Sequence, residues 1–241
     1  MAITDHDTVS GIPEALEAAR LNGITLLPGV EISASYGSRE VHVLGLGIDI
    51  AEAALTTSLE QFREERAGRA IAIIKRLNEI GVPITNEEVV AISGEGTIGR
   101  MHIARAIHAR GIVSNVQEAF DRFIGGGQRA FVKKPTISVQ SAIDLIHAAH
   151  GLAFVAHPGI GTMPQILRGL LKLPFDGIEV WHSRHHPQQS EEFQKLAEER
   201  NLLMTGGSDC HGTIKGHQPE MGKVRVPYCH FERICQRLAA Q

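Results

Sequence analysis

Short apolar runs, each closing on a histidine or an acid before a helical pattern begins, constrain this chain more than any other feature. Met1-Ala2-Ile3-Thr4 reads as the tail of a buried strand that runs into Asp5-His6-Asp7. An apolar run at 24–30 ends at Glu31, one at 153–156 at His157, one at 178–181 at His182, and one at 202–205 is followed by Asp209 and His211. His42 falls inside an expected antiparallel pair, 32–35 with 40–48, joined through Tyr36-Gly37-Ser38. Helices are expected at 10–22, with Ser10 as cap, Pro13 in the first turn and Asn22-Gly23 as the stop, and then at 139–150, 164–173, 190–201 and 231–238. Five or six strands, each followed by a helix, imply a parallel sheet or barrel. In both architectures active sites collect at the carboxyl ends of the strands.

Residues 51–134 have another texture. Leu59, Phe62, Ala70, Ile71, Ile74 and Leu77 recur at helical spacing, a second run at 98–110 stops at Gly111, and a third spans 116–123. We therefore expect a helical insertion at 51–134, flanked by barrel segments 1–50 and 135–241. The 241 residues, 43% hydrophobic and 21% charged, suffice for a real core and exclude a disordered chain. No stretch nears the roughly 20 apolar residues of a membrane helix and the first residues carry no leader pattern, so a cytoplasmic protein with no membrane partner is expected. Three cysteines do not make a disulfide framework, and Cys210 reads as a small buried filler. Gly125-Gly126-Gly127 lacks the Lys-Ser/Thr of a phosphate loop and reads as a hinge.

Thirteen histidines are the compositional excess that the strand ends explain. Imidazole and carboxylate together suit Mn²⁺, Fe²⁺ or Zn²⁺, and a carboxylate such as Glu31 has two oxygens with which to bridge two ions. Water held by such an ion ionises near pH 7, giving hydroxide and a clamp for a phosphate oxygen. The expected ligands are His6, Glu31, His42, His157, Asp209 and His211. His182 is a candidate phosphate contact or general acid, and Asp209 is placed with it in the catalytic set. His108, His147 and His150 read as last-turn helix residues that favour the helix dipole.

Thr4-Asp5-His6-Asp7, Gly29-Val30-Glu31, His42 before Gly45-Leu46-Gly47, Ala156-His157-Pro158-Gly159 and Gly207-Ser208-Asp209-Cys210-His211, in that order, resemble the PHP family, named for polymerase and histidinol phosphatase domains. The insertion with Arg100-Met101-His102 resembles the subgroup of the 3',5'-nucleoside bisphosphate phosphatase and the 5'-3' exoribonuclease RNase AM. The resemblance implies a distorted (β/α)7 barrel with two or three divalent metals, usually manganese. It implies that Glu31 bridges two of them, that His42 and His157 serve the second, Asp209 the first, and His6 with His211 the third. Family members open with a strand ending in Asp-Leu-His-x-His; this sequence lacks that stretch, so the barrel is expected to lack its first βα unit and the first metal site its remaining ligands.

Over residues 97–134, seven Lys/Arg face two acids, a balance of +5 within a chain of net charge −3. That patch is too small for wrapping long nucleic acid but suits gripping one terminal nucleotide. Arginine forks bind phosphate bidentately, so Arg100 and His102 are the expected substrate-phosphate contacts within a lid. The expected function is metal-dependent hydrolysis of nucleotide phosphate esters, either nucleoside 3',5'-bisphosphates or the 5' ends of short RNA, with no stable protein partner. Two competitors are a phosphatase of a small phosphomonoester such as histidinol phosphate, and a catalytically impaired nucleotide- or RNA-binding module.

Overall fold

The computed structural model describes residues 1–94, 98–161, 163–210 and 220–241. It divides into two compact units, Met1–Thr57 with Thr136–Gln241, and Ser58–Pro135. No helix among the described residues is long and apolar enough to cross a membrane.

In the first unit the chain runs β1 (Ala2–Ile3), α1 (Ile12–Leu21), β2 (Leu27–Tyr36) and β3 (Arg39–Leu46), and enters α2 (Ala53–Glu79). It re-enters at β4 (Ile137–Ser138), followed by α6 (Val139–Ala148), β5 (Leu152–Val155), α7 (Met163–Leu170), β6 (Gly177–His182), α8 (Pro187–Glu199), β7 (Leu203–Gly207) and α9 (Tyr228–Ala239). The strands form one sheet in the order β1-β2-β3-β5-β6-β7, with β4 also paired to β2. The sheet is mixed rather than parallel, because β3 runs antiparallel to both β2 and β5. The runs at 24–30 and 32–35 prove to be one long strand, β2, which turns at Gly37 straight into β3.

Local chemistry accounts for the details. Pro13 stands in the first turn of α1 and Asn22 caps its end, but Ser10 makes no cap bond and Gly11 holds the N-cap. Helix α8 starts at Pro187, three residues earlier than the apolar pattern indicates, since proline is pre-set for a first turn. His147 does sit in the last turn of α6, where it meets Asp176 at 2.7 Å, whereas His150 lies past the cap with φ 59°. Leu44, Leu46, Leu152, Phe154, Ala156 and Ile234 form a core between the sheet and α9. Phe154 is fully buried, contributing about 1.5–3 kcal/mol. At Gly29 a Cβ would lie 2.7 Å from the Ile3 carbonyl and 2.9 Å from that of Gly45, so only glycine lets β1 and β3 close on β2 from both sides.

The second unit is helical. Most of α2, then α3 (Asn86–Ser93), α4 (Arg100–Ala109), α5 (Val116–Ala119) and a π-turn at Phe120–Ile124 bury Ile73, Leu77, Val89, Ile103, Ile107 and Ile124 together. The Thr85 side chain and Glu88 form a reciprocal capping box at the start of α3, a helix with too few apolar positions to show in the periodicity. Arg69 Nε donates to the Val132 carbonyl at 2.9 Å and Arg76 to that of Phe131, tying the end of the unit to α2.

Candidate metal centre

The histidine and acid side chains gather at one end of the first unit's sheet because the strands deliver them there. His6 follows β1 and bridges to Glu31 in the middle of β2. On β3, His42 lies opposite Ser33, which places it diagonally across from Glu31 on the same face. His157 follows β5, Glu179 and His182 lie on β6, and Asp209 follows β7. Asp7, His157 and Asp209 all have φ between 29° and 53°, a left-handed backbone that non-glycine residues adopt rarely and mainly where a site holds them.

Glu31 is the centre. Its Oε1 stands 2.8 Å from His42 Nδ1 and 3.2 Å from His157 Nε2, and its Oε2 3.7 Å from His6 Nδ1. The two imidazole nitrogens are themselves 3.1 Å apart. Each ring nitrogen offers either one N–H or one lone pair, and the carboxylate offers lone pairs only. If both nitrogens carry protons, the two N–H groups oppose each other; if either lacks one, its lone pair faces an oxygen lone pair. With Glu31 ionised, every protonation state of the two rings therefore leaves one edge of this triangle repulsive, and a cation among the three atoms relieves all edges at once. Separations near 3 Å are also those between neighbouring ligands on a divalent ion with bonds of about 2.1 Å. His6, Glu31 and His42 offer ligand atoms all within 4.8 Å of one another.

The charges agree with the packing. Burial would raise the Glu31 carboxyl, but hydrogen bonds from His157 and His42 and the charge of His42 and His6 hold it well below the usual carboxylate range. Burial opposes protonation of His42, yet Glu31 and Glu40 together push it up to about 9. Glu179, which sequence reasoning missed, is 6% exposed and is pushed up to about 8, chiefly by burial and further by the negative charges of Glu31 and Asp209. Its Oε2 accepts the His157 backbone N–H at 2.7 Å, so it braces the loop that carries that ligand. An acid standing alone inside the apolar run 178–181 was the available signal.

The same loop is gripped from the other side. His185 accepts the Gly159 N–H on Nε2 at 3.1 Å and donates from Nδ1 to the Val180 carbonyl at 3.0 Å, while Gln189 donates to the Gly159 carbonyl at 3.3 Å. A Cβ on Gly159 would stand 2.7 Å from the His185 ring. Burial holds His185 below the ordinary histidine range, in keeping with a neutral ring that accepts on one nitrogen.

The His182 side chain is buried at the end of β6, and its Nδ1 accepts the Arg184 N–H at 3.1 Å, leaving the proton on Nε2, which has no hydrogen-bond partner among the described residues and lies 3.7 Å from Asp209 Oδ2. Cys210, next to Asp209, is half-buried rather than a buried filler. His211 lies outside the described residues.

In the second unit, Arg100 opens α4 with its guanidinium over the Phe120 and Phe131 rings, 5.8 and 5.9 Å from their centroids. The two rings attract the cation at these distances, and Arg100 has no side-chain hydrogen bond among the described residues. His102 Nδ1 accepts the Gly99 N–H at 3.1 Å, capping the helix; burial and Arg105 hold this ring below the ordinary histidine range.

No protein-family model matches the chain. Over 216 residues it is 36% identical to the 5'-3' exoribonuclease of Haemophilus influenzae, a match that covers 88% of this chain and 78% of that protein. Over 238 residues it is 34% identical to the 3',5'-nucleoside bisphosphate phosphatase of Chromobacterium violaceum, covering 94% and 84% respectively. The fold superposes with a TM-score of 0.84 on a solved structure from Bifidobacterium adolescentis described as a metal-dependent phosphoesterase, at 31% identity, covering 98% of this chain and 85% of that one.

Proposed function

The chain belongs to the PHP family of metal-dependent phosphoesterases, and on that premise we propose that it hydrolyses terminal phosphate esters of nucleotides: nucleoside 3',5'-bisphosphates and the 5' ends of short RNA. The observation that carries the reading is the triangle of Glu31, His42 and His157, which no arrangement of ring protons satisfies around an ionised Glu31 and a divalent cation does. Manganese suits this mixture of imidazole and carboxylate.

Glu31, His42, His157 and His6 would hold divalent cations, as would Asp209 beside β7, with His182 Nε2 3.7 Å from its Oδ2. When bound, the cations supply Lewis acidity at the phosphoryl oxygens and acidify water. The protein's own part is to fix these side chains before substrate arrives: Glu179, His185 and Gln189 hold the His157 loop through its backbone. Glu179, kept neutral by burial, adds no further negative charge where a phosphate must approach. Arg100 and His102 are proposed to hold a substrate phosphate, supported by the basic balance of residues 97–134 and by a guanidinium with no side-chain hydrogen bond among the described residues.

The test is to strip the protein with a chelator, restore Mn²⁺, and follow phosphate release from adenosine 3',5'-bisphosphate and mononucleotide release from a 5'-phosphorylated RNA. Manganese-dependent turnover of either is expected. Turnover of neither, or turnover that survives the chelator, overturns the proposal.

A further inference from the structure

Beside the strand ends, a cavity of about 500 Å³ opens between the end of β6 and α8, and no residue role described above accounts for it. It runs past Trp181 and His182, so it borders the candidate metal centre through the His182–Asp209 contact. A volume of this size is in the range of small-molecule pockets and far exceeds what a phosphate group fills. Among the described residues its charges balance: Lys223 and Arg225 line it with Glu191 and Glu220, and Lys223 lies 3.8 Å from Glu220. An anion therefore gains little there. The α8 wall supplies Ser190 and Gln194, uncharged groups that donate and accept hydrogen bonds. Trp181 supplies a half-buried indole, braced by the His230 ring at a centroid distance of 5.0 Å.

We infer that this cavity receives the nucleobase of the substrate, stacked on Trp181 with its edge toward Ser190 and Gln194. The inference rests on the proposed nucleotide substrate. A neutral aromatic heterocycle with polar edges is the ligand that an indole platform, neutral hydrogen-bonding groups and a balanced charge select.

Trp181 is the sole tryptophan of the chain, so its emission reports this cavity alone. Titrating adenosine 5'-phosphate in Mg²⁺ should change that emission saturably, and inorganic phosphate should not. Trp181→Ala should raise KM for adenosine 3',5'-bisphosphate about tenfold, a typical loss for one base–aromatic stack, and Trp181→Phe should recover most of it. KM for the base-free 1-deoxyribose 3,5-bisphosphate should be the same in all three proteins. An unchanged emission together with an unchanged KM in Trp181→Ala, while wild type still turns the nucleotide over, overturns the inference and leaves the phosphoesterase reading intact. Failure of wild type to turn over any substrate overturns that reading instead, and the emission titration still decides whether the cavity takes a base.

Discussion

Glu31→Gln isolates what the central carboxylate does. Glutamine keeps the size of the side chain and one acceptor oxygen but removes the charge that three imidazoles face. In the metal-free protein His42 rises from 6.5 to about 9, burial opposing and Glu31 leading the groups that raise it. A histidine whose folded value is raised contributes stability that is complete below its unfolded value and lost as pH rises through the folded one. Wild type should therefore lose up to about 3 kcal/mol between pH 6.5 and 9, since 2.5 units correspond to roughly that energy. In Glu31→Gln most of this slope should vanish, and the stability below pH 6.5 should be lower by a similar amount. Urea midpoints of chelator-treated protein at half-unit steps from pH 6 to 9.5 read both effects. Manganese affinity, measured by calorimetry, should fall by at least about 100-fold, and wild type at pH 7.5 should release about one proton per ion as His42 gives up its own. A variant with the same pH slope and the same affinity as wild type would refute the reasoning.

Three further outcomes follow from the same geometry. Glu179 is neutral in the folded protein up to about pH 8 and ionises near 4.5 when unfolded, so its contribution is largest below 4.5 and is lost as pH rises through 8; Glu179→Gln should match wild type at pH 4.5 and exceed it by on the order of 4 kcal/mol at pH 8 in calorimetric scans. Gly159→Ala drives a methyl into His185, a ring held at both nitrogens, and should destabilise the protein by roughly 1–3 kcal/mol and weaken manganese binding through His157; a neutral effect on both would show that the loop is not held as described. Arg100→Ala should raise KM for nucleotide substrates about tenfold while lowering stability by less than about 1 kcal/mol, the worth of an exposed cation–π contact; a stability loss with KM unchanged would make the residue purely structural.

Much of this was legible in the residues because strand ends announce themselves. His6, Glu31, His42 and His157 each stand at or beside an apolar run, and the sheet brings those four together. The direction of β3 was legible through one feature alone: a hairpin and a crossover strand share the same alternation, and the short turn at Tyr36-Gly37-Ser38 is what indicated the antiparallel pairing with β2 that forms. Nothing in the sequence showed that β5 would pair with β3 rather than β2. The burial of His182 was not legible, because it depends on the packed neighbours and not on its position after a strand. Glu179 was missed because the chemistry was read at strand ends and this acid lies within the strand, where its isolation in an apolar run is its only mark. The capped helix α3 escaped because its first turn, Asn86-Glu87-Glu88, is polar and its stability comes from the Thr85 cap rather than from apolar spacing.

The central claim is that Glu31, His42 and His157 jointly hold a divalent cation. Crystals of the protein soaked in Mn²⁺ and measured at the manganese absorption edge test it most directly. An anomalous peak bounded by Glu31 Oε1, His42 Nδ1 and His157 Nε2 is expected, lost in Glu31→Gln. A map with no peak among those three atoms at saturating manganese, or with its only peak elsewhere, contradicts it.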